Sequence, residues 1–117
     1  MIASLDRCLI IEENFLIRQD LADMLQSLGF QNVMEAATNA QALALIAVTP
    51  CQVAFLYFIH ADDGSEAVAA ALKAKGIPFV VTMAYHEPAR LPPVMKDAPV
   101  ISKPYVIEAI RAILKGL

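Results

Sequence analysis

Val53-Ala54-Phe55-Leu56-Tyr57-Phe58-Ile59 is the stretch on which the fold turns. Its seven residues are apolar without alternation and rich in aromatic and β-branched side chains. That pattern describes a strand buried on both faces, which requires a parallel sheet covered by helices. The strand runs into a polar loop, His60-Ala61-Asp62-Asp63-Gly64-Ser65. Open α/β sheets form their ligand crevices just beyond such carboxyl ends, so the chemistry of this chain is expected there.

The flanking segments supply the rest of the sheet. Upstream, Arg7-Cys8-Leu9-Ile10-Ile11 reads as a strand that stops at the charged pair Glu12-Glu13. Asn14 can cap a helix over residues 15–28, where Ile17, Leu21, Met24, Leu25 and Leu28 form one apolar stripe and Gly29 supplies the stop. Residues 31–36 predict a short second strand. Thr38 or Asn39 caps a helix over 40–48 that Pro50 closes. Downstream, Ser65 is expected to cap a helix reaching about Lys75, ended by Gly76, and residues 78–84 read as the fourth strand. Pro88, Pro92, Pro93 and Pro99 forbid a full regular helix in 86–99, leaving a short turn or an irregular crossover. Val100-Ile101-Ser102 is the fifth strand. Residues 106–115 form the last helix, with Ile107, Ile110, Ile113 and Leu114 toward the sheet and Gly116 as its stop.

Five strands alternating with helices predict an α/β fold: a doubly wound parallel sheet with right-handed crossovers. In strand order 2-1-3-4-5 the ends of strands one, three and five are neighbours. Two carboxylates (Glu12, Glu13), a phenol (Tyr57) and an ammonium (Lys103) then meet in one crevice.

The 117 residues suit one domain, 1–117, and an end just past the last helix suits a self-standing module. The chain is 58% hydrophobic and 18% charged, against roughly 25% charged in an average soluble domain. Apolar surface beyond the usual is therefore expected, which favours a protein partner or a homodimer. A net charge of −3 steers the chain toward neither nucleic acid nor an anionic membrane. No apolar run approaches the ~20 residues that span a bilayer, and no signal-peptide pattern is present, so a cytoplasmic location is expected. Cys8 and Cys51 fit that location as small apolar core residues. No Gly-x-Ser-x-Gly, Gly-x-Gly-x-x-Gly or metal-spaced His pair occurs, and adjacent Glu12 and Glu13 diverge on leaving a strand, so an enzyme is not expected. His60 with Asp62 and Asp63 reads as a solvated loop, and His86 has no evident partner.

Three stretches carry a resemblance that covers nearly the whole chain. They are Leu9-Ile10-Ile11-Glu12-Glu13 with Asn14-Phe15-Leu16-Ile17-Arg18, Gly76-Ile77-Pro78-Phe79-Val80-Val81 through Ala84-Tyr85, and Ala98-Pro99-Val100-Ile101-Ser102-Lys103-Pro104-Tyr105. In this order and spacing they resemble the receiver domain of two-component response regulators, a flavodoxin-like fold. The resemblance implies that the acidic pair Glu12 and Glu13 falls where the family holds magnesium. It also places Lys103 where a lysine pairs with the phosphoryl group, and implies a cis Lys103-Pro104 peptide bond. Elsewhere the chain departs from the pattern. Tyr57 falls on the phosphoacceptor aspartate, Met83 on the Ser or Thr position and Val100 on the aromatic switch position, while Thr82 points to the opposite side of its strand from Met83.

A neutral phenol cannot form an acyl phosphate, and Met83 cannot donate a hydrogen bond. With one carboxylate lost, magnesium is expected to bind weakly, Glu13 being its candidate ligand. The expected role is a receiver module of phosphorelay signalling that acts through phosphorylation-independent protein contacts, with a histidine kinase or phosphotransfer protein among the candidate partners. Tyr57 is expected to fill the crevice with its hydroxyl on Glu13 or Lys103, and Lys103 to act as counter-ion to both glutamates. Two alternatives stand beside it: a displaced acceptor, Asp62 or Asp63, and a small-ligand sensor around Tyr57 and Met83.

Overall fold

A computed structural model describes residues 6–60, 63–84 and 91–117. Five parallel strands form one sheet: β1 (Arg7–Ile11), β2 (Asn32–Ala36), β3 (Val53–Tyr57), β4 (Phe79–Met83) and β5 (Val100–Ser102). Their order is β2-β1-β3-β4-β5, the flavodoxin-like order expected for a doubly wound sheet of this kind. The helices are α1 (Phe15–Ser27), α2 (Asn39–Val48), α3 (Ser65–Ala74) and α4 (Ile107–Gly116). Between β4 and β5 the described residues hold one short 3₁₀ turn, Pro93–Met95, as the prolines require.

The sheet divides the core in two. On one face, Leu21, Ala22 and Leu25 of α1 and Ile110 and Leu114 of α4 pack on Cys8, Ile10, Val53, Phe55, Val80 and Ile101. On the other, Ala42 and Ile46 of α2 and Val68, Ala69 and Leu72 of α3 pack on Leu9, Ile11, Leu56, Val81 and Met83. Alternate residues of each central strand thus feed opposite cores. Phe55 and Leu56 are both fully buried, each contributing roughly 1.5–3 kcal/mol of burial free energy.

Several boundaries differ from the sequence reading. β3 ends at Tyr57, although Phe58 is still buried and its amide still reaches the Thr82 carbonyl at 3.0 Å. Ile59 has turned out to solvent. Asn14 caps α1 by accepting from the Ile17 amide, and Thr38, not Asn39, caps α2. Ser65 does not cap α3; it is the helix's first residue, and the preceding Gly64 takes φ +93. The capping oxygen there comes from Asp63, whose carboxylate accepts from the Ser65 amide at 2.8 Å. Gly116 lies inside the last turn of α4 instead of ending it. Among the described residues, no helix is long and apolar enough to cross a membrane.

Candidate functional site

The carboxyl edge of the sheet brings Glu12, Tyr57 and Lys103 together, from the ends of β1, β3 and β5. Glu12 stays in register at the end of β1 because its amide donates to the Ala36 carbonyl of β2 at 3.0 Å. Its side chain folds inward and is only 4% exposed. Oε2 accepts from the Asn14 amide at 3.1 Å. Oε1 lies 3.6 Å from Lys103 Nζ and has no hydrogen-bond donor. Glu13, one residue on, points to solvent. Lys103 therefore pairs with Glu12 alone among the two glutamates.

The backbone amide of Lys103 is tied to the Met83 carbonyl at 3.0 Å, which carries the side chain to the crevice from the end of β5. The Lys103-Pro104 peptide is cis, as the resemblance implies. The Lys103 ammonium sits 4.4 Å from the centroid of the Tyr57 ring. Lysine and phenol thus meet through the face of the ring, where the sequence predicts a contact through the hydroxyl. Such a contact is worth about 0.5–2 kcal/mol according to how dry it is.

Met83 is buried in the α2/α3 core, whereas Thr82 takes the opposite side, at the register position beside Tyr57. Thr82, 2% exposed, stands next to the Tyr105 hydroxyl without completing a hydrogen bond to it. Burial pushes the Tyr105 phenol up to about 12; Thr82 works against the shift, and Glu12 and Tyr57 add to it. Val100 is half-buried against the α2/α3 core.

Arg18 is a site residue that the sequence pattern does not single out. From the first turn of α1 its Nη1 donates to the Glu12 carbonyl at 2.8 Å and its Nε to Glu35 of β2 at 2.9 Å. The backbone that carries the acidic pair is thereby clamped between α1 and β2.

The loop after β3 is organised by Asp63. Its Oδ2 accepts from the amides of Ile59 at 2.8 Å and His60 at 3.3 Å, and its Oδ1 from the amide and hydroxyl of Ser65. Burial alone would raise this carboxyl, but the Ser65 hydroxyl and the three amides outweigh it and hold it below its ordinary value. Asn39 of α2 donates to the Asp63 carbonyl at 3.1 Å and so ties the loop to the neighbouring helix. The signal was present in Asp63-Gly64-Ser65, since Asp often accepts from the amide two residues on. Asp62, Tyr85 and His86 lie outside the described residues.

Between these elements lies a cavity of about 230 Å³, lined by Ile11, Glu12, Glu13, Ala37, Thr38, Asn39, Tyr57, Ile59 and Asp63. Among the described residues, no group of three or more His, Cys, Asp or Glu side chains is arranged to hold a metal ion.

No protein-family model matches the sequence, and a search of curated proteins finds no match. Solved structures do match. SdrG from Pseudomonas melonis Fr1, in its BeF3-activated conformation, is 30% identical, with 97% of this chain and 96% of SdrG covered and a TM-score of 0.78. A CheY-like response regulator receiver domain protein from Methanospirillum hungatei JF-1 is 25% identical, with 97% and 93% covered and a TM-score of 0.73. The anti-anti-sigma factor PhyR from Bartonella quintana is 28% identical over 92% of this chain, which spans 45% of that protein, at a TM-score of 0.74. Sheet order, the convergence of three strand ends and these likenesses agree: the chain belongs to the CheY-like receiver domains of response regulators.

Proposed function

We propose that this receiver signals through protein contacts that do not depend on phosphorylation. The observation that carries the reading is the stack of Lys103 on Tyr57. In this arrangement the lysine that would pair with phosphoryl oxygens is engaged by the Tyr57 ring and by Glu12, and the side chain at the end of β3 has no carboxylate to form an acyl phosphate. Magnesium fits the crevice poorly. It prefers octahedral oxygen ligands, yet Glu12 already serves Asn14 and Lys103, Glu13 is exposed, and the third vertex is a phenol.

Asp63 makes a poor displaced acceptor, because Oδ1 is held by Ser65 at the start of α3 and Oδ2 by the Ile59 and His60 amides of the preceding loop, and a nucleophile must be free to point at its donor. A metabolite sensor is disfavoured by size, since pockets for drug-sized ligands measure about 300–1,000 Å³ and this one about 230 Å³. A surface for partners is the remaining use, consistent with a relative named for an anti-anti-sigma role. A cytoplasmic setting, with a kinase or phosphotransfer protein among the candidate partners, fits this reading.

The test is intact mass after incubation with acetyl phosphate and magnesium. No mass gain is expected. A hydroxylamine-labile gain of one phosphate would overturn the proposal, and its loss in Asp62→Asn or Asp63→Asn would identify the acceptor.

A further inference from the structure

Among the described helices, α2 alone carries no charged residue, and its solvent side is as apolar as its buried one. Ala40, Leu43, Ala44, Ala47 and Val48 recur at helical spacing on the side away from the sheet, all of them exposed and Val48 to 79%. A helix that is apolar all round belongs against a further layer of protein. We infer that a second copy of this chain covers it, the two chains meeting antiparallel across a two-fold axis, α2 on α2 and α3 on α3.

Charge selects a second copy as the occupant. A two-fold axis across an antiparallel pair sets each group against one at the far end of the same helix. Along α2 this brings no like charges together, because the helix has none. On α3 the exposed side carries Glu66 in the first turn and Lys73 in the last, on one line of the helix with the exposed Ala70 between them. Glu66 of each chain then meets Lys73 of the partner subunit. One helix sequence thereby supplies both halves of two ion pairs.

One axis serves both helices. The Asn39 side-chain amide donates to the Asp63 carbonyl at 3.1 Å and lies against Gly64, so α2 and α3 start level with each other on one face of the sheet. Each is ten residues long, which sets Ala44 level with Ala70. An axis through these two alanines lets the helices approach closely, since neither residue carries more than a methyl group. It also sets Val48 of one chain against Ala40 of the partner subunit, large against small. Two helices about 15 Å long and about 8–10 Å apart offer an interface of about 1,000 Å² in total, the size of a weak and reversible contact.

The test is the oligomeric state of the full chain by sedimentation velocity. A dimer dissociating with a constant of about 100 µM is expected, seen in a series from about 10 µM to about 1 mM. Ala44→Glu sets two carboxylates against each other at the axis and should keep the chain monomeric throughout. Lys73→Glu should weaken the dimer about tenfold, because symmetry counts each lost ion pair twice. Glu66→Lys combined with Lys73→Glu restores opposite charges across the axis and should bring the dimer back. All three positions are exposed, and circular dichroism checks that each variant folds; should the charge swap not fold, Ala44→Glu decides alone. A chain that stays monomeric, a dimer indifferent to Ala44→Glu, or a folded charge swap that fails to rescue would overturn the inference. It goes beyond the contact-based reading: the samples hold no phosphoryl donor, so a monomer leaves that reading standing, and a phosphorylated chain leaves the dimer standing.

Discussion

At the scale of single residues, Tyr57 and Asp63 make opposite demands on charge. Tyr57→Asp removes the ring under Lys103 and sets a third carboxylate beside Glu12 and Glu13. The lost cation–π contact and the added repulsion should lower stability by about 1–3 kcal/mol. Magnesium should then raise the melting temperature of the variant while leaving that of the parent chain where it was, as thermal unfolding with and without the ion will show. Asp63 contributes in the other direction. Its folded-state pKa lies below its ordinary 3.8, so its stabilisation is complete above that value and is lost as pH falls through the folded pKa. Asp63→Asn should therefore cost most near neutral pH, and the gap to the parent chain should close on acidification, measured by urea midpoints from about pH 7 down to about pH 3.

Among the elements, the connection from β3 to α3 is the most constrained. Gly64 has φ +93, and a Cβ there would meet Asn39 Nδ2 at 2.9 Å. Gly64→Ala should cost about 1–2 kcal/mol in backbone conformation alone, with the clash added. Combining it with Asn39→Ala should relieve the clash but not the conformational cost, so the double variant is expected to be less destabilised than the sum of the singles in denaturant titrations. The helices and strands themselves were legible, because apolar stripes at i, i+3, i+4 and unbroken β-rich runs are properties of local sequence. The Arg18 clamp and the closing of Asp63 on the Ile59 and His60 amides were not. Each depends on which way a loop turns, and that is fixed by tertiary register. Ser65 shows the same limit: a serine before a helix is a good capping residue, yet Asp63 two positions earlier reaches the free amide first.

For the molecule as a whole, the sheet is the partition on which both cores depend. Phe55→Ala and Leu56→Ala empty opposite faces at adjacent positions, and each should cost about 2–5 kcal/mol. Because β3 serves both cores, either variant should unfold in one transition, with circular dichroism and tyrosine fluorescence superimposing; separate transitions would mean that the two faces are independent. The crevice was readable at this scale only in part: strand order sets the ends of β1 and β3 side by side, but β4 stands between β3 and β5, so the ends of one, three and five are not all neighbours and Lys103 reaches the crevice through the length of its side chain. Its detailed wiring, a lysine over a ring and a glutamate short of one donor, needed coordinates. The sheet's two outer strands carry a consequence of their own. β5 is three residues long, and β2 presents Glu35 and Asn32 to water along its edge. A foreign strand would find few rungs on one side and charge on the other, so the domain is guarded against fibril growth through its margins.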